Sequence, residues 1–142
     1  MSVEVFIDSN ILIYAHDVDA GQKKQTAQGI LFDLARDRSG ALSMQVLQEF
    51  YFNVTRKLAH PLSREEARAT VDDFAHWCIP TTPKEIRQAF RIEDEAKINF
   101  WDALIVAAAV KSGAKRILSE DLNHGQAIAG IRIENPFVIQ SA

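Results

Sequence analysis

Two acidic residues follow stretches of sequence that predict buried strands. Asp8 comes directly after the apolar run Val5–Ile7, and Asp121 comes shortly after the run 116–119. Taken alone, Asp8 is slightly better explained as the cap of a following helix than as a ligand. In a parallel α/β sheet, however, ligands bind beyond the carboxyl ends of the strands. The two positions together therefore favour a ligand site at one edge of a sheet.

Two further acids are predicted on helices. Asp102 lies at the third position of a helix, Phe100–Ser112, that is apolar on every face, so we expect a single buried carboxylate there. The helix dipole is the structural explanation for such an acid, and a bound cation is the functional one. Glu49 lies away from the apolar stripe of its helix, where an exposed glutamate is the default. Asp121 is also explained by an ordinary turn.

Convergence of these acids would create a site for a hard cation. Like charges repel when they are crowded, and oxygen-only ligation selects Mg²⁺ or Mn²⁺ over Zn²⁺. The four histidines, at positions 16, 60, 76 and 124, have no zinc-like spacing. We expect each on the surface or in a loop, with His124 nearest the site. Acid-bound Mg²⁺ activates water and stabilises the charge that develops on a phosphodiester, which is nuclease chemistry.

Composition limits the class of protein. The length of 142 residues, of which 47% are hydrophobic, predicts one globular domain spanning 1–142. A net charge of -3 argues against a broadly basic nucleic-acid binder. The single cysteine, Cys78, excludes an internal disulfide, and no apolar run reaches the roughly 20 residues of a membrane span. We therefore expect a cytoplasmic protein that does not enter a membrane.

Strand and helix patterns alternate along the chain. Ser43, Ser63, Thr82 and Asn99 mark helix starts, and Ser63 and Thr82 each begin a capping box. The alternation predicts an α/β fold whose central, mostly parallel twisted sheet is flanked by helices. Strands are predicted at Val5–Ile7, 40–43, 116–119 and around 131–133, with a candidate strand at 78–80, a short helix at 11–15 and a helix from Val46 to Leu58.

Five segments together resemble the PIN-domain family, and within it the VapC-type toxin ribonucleases of toxin-antitoxin systems. They are residues 6–15, 46–51, 100–109, 119–122 and 135–137. The resemblance implies a three-layer PIN-like nuclease domain with Mg²⁺- or Mn²⁺-dependent endoribonuclease activity on RNA, homodimerisation and a small antitoxin partner. The resemblance implies four acidic metal-site residues, which are Asp8, Glu49, Asp102 and Asp121. It also implies two hydrogen-bonding neighbours of that site, Asn10 and Ser119.

Two other functions are compatible with the sequence. One is a Mg²⁺-dependent phosphatase with Asp8 as nucleophile, although enzymes resembling haloacid dehalogenases need an acid where this chain has Asn10. The other is a catalytically silent PIN-like module that dimerises or holds RNA.

Whichever function holds, the sequence predicts a dimer, because it places apolar surface at Tyr51 and Phe52, with Phe32 and Trp77 as further large apolar side chains.

Overall fold

The fold is built on a five-stranded sheet. The computed structural model describes residues 2–138. The strand order is β2-β1-β3-β5-β4, and every pairing is parallel except β4 with β5. Residue 1 and residues 139–142 of the predicted domain lie outside the described part. The strands are β1 Val5–Ile7, β2 Gly40–Ala41, β3 Arg116–Leu118, β4 Ala127–Ile128 and β5 Ile131–Glu134.

Helices flank the sheet, and most begin where the sequence predicts. Ser43 and Asn99 cap their helices through side-chain oxygens, and Thr82 forms a complete capping box. At Ser63 the predicted capping box is incomplete. The Ser63 oxygen accepts the Glu66 N–H, but the Glu66 carboxylate accepts the Ser63 hydroxyl instead of the Ser63 N–H. The helices are α1 Ser9–Ala15, α2 Gln22–Asp37, α3 Met44–Arg56, α4 Arg64–Phe74, α5 Pro83–Ala96 and α6 Phe100–Ser112.

The core lies against the central strands and α6. All three residues of β1 are buried, as expected for a strand covered on both faces. In α6, Ala103 and residues 105–109 are buried, so the predicted apolar helix packs into the interior. These observations confirm the predicted α/β fold with a mostly parallel sheet flanked by helices. No helix within residues 2–138 is long and apolar enough to cross a membrane.

Several predicted boundaries differ from the structure. The first helix begins at Ser9 rather than at residue 11, because Asp8 caps it, and α3 ends at Arg56, before Leu58. The segment 78–80 makes only one bridge, between Leu42 and Cys78. Strand β4 was not predicted; it turns into β5 through Ala129 and Gly130, both at positive φ. Such a turn suits a two-residue hairpin, but alanine is an unusual residue in it.

Candidate active site

Asp8 lies at the carboxyl end of β1, beside the end of β3. Its backbone N–H donates to the Leu118 carbonyl (3.0 Å), which continues the parallel pairing of the two strands. One carboxylate oxygen, Oδ1, accepts the Ser9 N–H at 2.7 Å, and the other, Oδ2, accepts the Ser119 hydroxyl at 2.7 Å. Only 4% of Asp8 is exposed. Asp8 is therefore both a helix cap and a buried acid at the predicted edge of the sheet.

The environment of Asp8 disfavours its charge. Burial raises the pKa of this carboxyl from 3.8 to about 6, although the hydrogen bonds from Ser119 and Ser9 act in the opposite direction. The negative charges of Glu49 and Asp121 raise the pKa further. Glu49 and Asp121 thus act electrostatically on Asp8 from different parts of the fold.

A turn after β3 brings Asp121 towards Asp8. The Asn10 side chain donates to Asp121 Oδ2 (3.3 Å) and, more weakly, to Ser119 Oγ (3.5 Å), while its oxygen accepts the Glu120 N–H (3.2 Å). The Asp121 N–H donates to Ser119 Oγ (3.1 Å). Asn10 and Ser119, predicted as neighbours of the site, therefore connect the two acids through hydrogen bonds.

Asp102 lies in the first turn of α6. The Asn99 side chain accepts the Asp102 N–H (2.9 Å) and donates to Asp102 Oδ2 (3.0 Å). Burial raises the pKa of Asp102, the Asn99 hydrogen bond lowers it, and the nearby charge of Asp121 raises it. Asp102 is half-buried, so the prediction of an isolated, fully buried carboxylate was wrong. The helix end leaves one side of this carboxylate open.

Glu49 is half-buried on α3 rather than exposed, which corrects the default expectation. Its Oε2 accepts from the Gln45 amide (3.3 Å), and the same amide donates to the Trp101 carbonyl (3.2 Å). Gln45 thus links the Glu49 carboxylate to the start of α6, beside Asp102. Sequence reasoning missed Gln45, for which the i, i+4 spacing from Glu49 on a helix was the available signal.

The four acids have the chemistry of a hard-cation site. None of the ion pairs found within residues 2–138 involves Asp8, Glu49, Asp102 or Asp121. Their donors are all oxygens, which suit Mg²⁺ or Mn²⁺. In the same range, however, no three His, Cys, Asp or Glu side chains are arranged to hold a metal ion directly. Because Mg²⁺ usually keeps several waters, the residues fit a cation that they contact partly through water.

The four histidines lie on the surface or in a turn, as expected. His60, His76 and His124 are exposed; His124 accepts the Asn135 N–H (2.9 Å), and His60 pairs with Asp19. His16 lies in the turn just after α1, where it is half-buried and its ring packs edge-on against Phe50 at 5.4 Å. It is partly covered there because the end of α1 packs against α3.

Phe52 and Phe32 are exposed (49% and 68%), as expected, but a larger group of exposed apolar side chains lies elsewhere. Trp77 is buried, Phe52 lies beside the cations of Arg56 and Lys57, and Tyr51 accepts a hydrogen bond from Arg68. The larger cluster lies on the first turns of α3 and α6 and on α5, around a cavity of about 370 Å³. We call it the apolar face. Its exposed members Met44, Ile86 and Trp101 line the cavity, and a fourth, Phe90, adjoins Trp101 through Phe100, which packs against both rings (5.7 and 5.2 Å between ring centres).

Solved toxin-antitoxin structures have the same fold. A toxin-antitoxin complex from Klebsiella pneumoniae matches with a TM-score of 0.67 and 17% identity over 96% of this chain and 100% of that chain. VapBC2 from Rickettsia felis, bound to a promoter DNA fragment, matches with a TM-score of 0.65 and 19% identity over 94% of this chain and 98% of that chain. VapC20 from Mycobacterium tuberculosis, described as a sarcin-ricin loop cleaving toxin, matches with a TM-score of 0.62 and 16% identity over 83% of this chain and 90% of that chain.

Sequence comparison identifies the family. A comparison with curated proteins gives no match. The sequence model of the PIN domain matches residues 5–128, a range that contains all four acids. The match confirms the family resemblance seen in the sequence, and it spans most of the chain, so this protein belongs to the PIN-domain family.

Proposed function

We propose that this protein is a Mg²⁺- or Mn²⁺-dependent endoribonuclease and the toxin of a toxin-antitoxin pair. One observation carries the proposal: Asp8 is buried with a raised pKa, and the acids that act on it, Glu49 and Asp121, have no basic partner within residues 2–138. Such an arrangement is unfavourable unless a cation binds. The fold shared with a loop-cleaving toxin supports RNA as the substrate.

The metal would be held by Asp8 and Asp121, with Glu49 and Asp102 contributing directly or through water. When bound, it would supply a Lewis acid that activates water and stabilises charge on the phosphodiester. The chain's own contribution is orientation. Ser119 and Ser9 hold the two oxygens of Asp8, and the amides of Asn10, Asn99 and Gln45 hold Asp121, Asp102 and Glu49 respectively.

These hydrogen bonds orient Asp8 and make it a weaker nucleophile. Each of its oxygens accepts one hydrogen bond, and Ser119, which donates one of them, is itself held by the turn at Asp121. Each oxygen keeps a lone pair that could bind a metal. A covalent phosphatase resembling the haloacid dehalogenases would also need an acid two residues on, where this chain has Asn10. The residues therefore favour metal-assisted attack by water over attack by Asp8.

The proposal includes a cytoplasmic location, a small antitoxin and a homodimer. Toxin-antitoxin complexes among the solved structures of this fold support the antitoxin. We place the dimer contact on the apolar face, because contiguous exposed apolar side chains mark interaction surfaces. Gln45 joins the Trp101 backbone to Glu49, so a second copy bound there would adjoin the acids and extend the surface available to RNA.

Cleavage of a structured RNA tests the proposed activity. Wild type should cut the RNA with Mg²⁺ or Mn²⁺ and not with EDTA, and Asp8→Asn should be inactive while remaining folded. Asp37→Asn is the matched control, because Asp37 is an exposed acid at the end of α2, near the opposite edge of the sheet. Metal-dependent release of phosphate from a phosphomonoester, without RNA cleavage, would support the phosphatase instead. RNA binding without cleavage in either metal would indicate a silent module.

A further inference from the structure

A second charged cluster lies directly behind the acids. The Tyr14 hydroxyl donates to Glu120 Oε1, and Lys23 Nζ contacts Glu120 Oε2, each at 2.5 Å. Lys23 Nζ also lies 4.8 Å from the centre of the Tyr14 ring and 5.7 Å from that of Phe137. The two rings meet edge to face at 5.1 Å. Glu120 is the residue between Ser119 and Asp121, so this cluster holds the turn that carries Asp121.

Helix α1 holds this turn at two points. Asn10 and Tyr14 are four residues apart and therefore lie on one face of α1. Asn10 accepts the Glu120 N–H, and Tyr14 donates to the Glu120 carboxylate. The backbone and the side chain of one residue are thus fixed by the same helix. Asp121 therefore lies on the side of the turn that faces the Asn10 amide. From there its charge acts electrostatically on Asp8 and Asp102.

Charge pairing separates Glu120 from the four acids. Glu120 is neutralised by Lys23, whereas Asp8 and Asp121 have no ion-pair partner within residues 2–138. Without Lys23, the Glu120 carboxylate would keep the Tyr14 hydrogen bond but would be an anion without an ion-pair partner in the residue next to Asp121. A partly exposed ion pair contributes little to overall stability. Its main consequence here is therefore the conformation of the turn.

We propose that Tyr14, Lys23 and Glu120 are positioning residues that hold the turn 119–121 in its metal-binding conformation. The inference rests on the proposed function, since it requires that Asp121 binds the metal. It adds residues outside the acidic set and assigns Glu120 to the support of the site rather than to the metal. Partners of this kind affect metal affinity by about 10- to 100-fold in other metal sites.

Mn²⁺ binding to the full chain tests the inference without an activity assay. Titration calorimetry should show that Glu120→Ala and Lys23→Met bind Mn²⁺ roughly tenfold more weakly than wild type. Lys23→Arg, which keeps the charge, should restore most of the affinity. Glu134→Ala is the matched control, because the side chains of Glu134 and Glu120 are 24% and 25% exposed and both are ion-paired, Glu134 with Arg116 (2.7 Å) and more distantly with Arg132 (3.8 Å). It should bind Mn²⁺ like wild type.

The outcomes separate the inference from the proposed function. Wild type that fails to bind Mn²⁺ would overturn the proposed metal site itself. Wild type and Glu120→Ala that bind equally, with only the metal-free melting temperature lowered in the variant, would overturn the positioning role alone. If Glu120→Ala does not fold, the comparison of Lys23→Met with Lys23→Arg decides, and equal affinities of those two variants and wild type would also overturn it.

Discussion

Replacing Asp8 by asparagine should stabilise the metal-free protein at neutral pH. The rise of the Asp8 pKa from 3.8 to about 6 means that the folded state disfavours the ionised carboxyl by about 3 kcal/mol, since a tenfold change in proton affinity is worth about 1.4 kcal/mol. Asparagine removes this cost. Its single oxygen can accept the Ser9 N–H, but the NH2 group that replaces Oδ2 cannot accept the Ser119 hydroxyl, and that lost hydrogen bond costs about 1 kcal/mol. The net gain is about 2 kcal/mol.

The sign of this effect depends on pH. Below about pH 4 Asp8 is protonated in the folded and unfolded states, so only the lost hydrogen bond matters and the variant should be about 1 kcal/mol less stable. Between about pH 4 and 6 the unfolded chain releases its proton first, and wild type loses stability as pH rises. Above about pH 6 the full cost is present. The two stability curves should therefore cross at about pH 4.5, where the cost of ionising Asp8 equals that of the lost hydrogen bond.

Urea unfolding in EDTA at several pH values measures both curves. At pH 7 the variant should also melt about 6 °C higher, given the usual relation between free energy and melting temperature for a chain of this size. Acids that do not interact with Asp8 titrate alike in both proteins, so the difference between the curves reports Asp8 together with its coupling to Glu49 and Asp121. Curves that stay parallel from pH 4 to pH 7, with the variant less stable throughout, would refute the reasoning and leave Asp8 as a structural helix cap.

Four further predictions concern metal, catalysis and assembly. Mn²⁺ at a hundred times its Kd should stabilise wild type by about 2.7 kcal/mol in thermal unfolding, and Asp102→Asn should respond much less; an equal response would remove Asp102 from the site. Mn²⁺ affinity measured by calorimetry should fall as pH decreases through about 6, because protons compete for Asp8, and a flat profile would argue that Asp8 is not a ligand. Asp121→Asn and Glu49→Gln should each lose nearly all RNA cleavage, and the double variant should lose little more, because members of one site act as a unit; full activity of Glu49→Gln would exclude that residue. In sedimentation, Phe90→Glu should convert a dimer into monomers. Phe32→Glu is the control and should leave the dimer intact, although Phe32 on α2 is more exposed than Phe90 (68% against 50% of the residue surface). An unchanged mass for Phe90→Glu would place the contact elsewhere.

The convergence of Asp8 and Asp121 could be predicted because it depends only on strand order and direction. Each acid follows an apolar run of strand length, and the carboxyl ends of parallel neighbours lie at the same edge of a sheet. Ser119, which follows β3 directly, was expected near the site only because the family resemblance implied it. Helix caps were predictable for a similar reason, since Asn99 and Thr82 act on backbone groups within three residues.

Side-chain direction on α3 could not be predicted from spacing alone. Glu49 lies away from the apolar stripe of its helix, but what it faces depends on how α3 is rotated against α1 and α6. In the structure it faces Gln45 and acts electrostatically on Asp8. The exposure of Asp102 was also missed, because an apolar helix predicts burial for its middle turns and says little about its first turn.

Contacts between distant residues were beyond sequence reasoning. Lys23 and Glu120 are 97 positions apart, and each is an ordinary surface residue in its own segment. The β4–β5 hairpin was missed for a local reason, since Ala129 adopts a positive φ that alanine rarely takes. The structure therefore adds the residues that support the site, while the acids themselves were visible in the sequence.

The pairing of β1 with β3 has a consequence for the protein during its synthesis. The Ser119 hydroxyl reaches Asp8 across 111 positions of sequence, and β1, near the start of the chain, lies between β2 and β3. A nascent chain that ends before residue 116 has Asp8, Glu49 and Asp102 but lacks β3, Ser119 and Asp121. Contacts of such long range form late. Under the proposed function, the ribosome-bound chain would therefore be unable to cut nearby RNA until residues 116–121 have been made and have paired with β1.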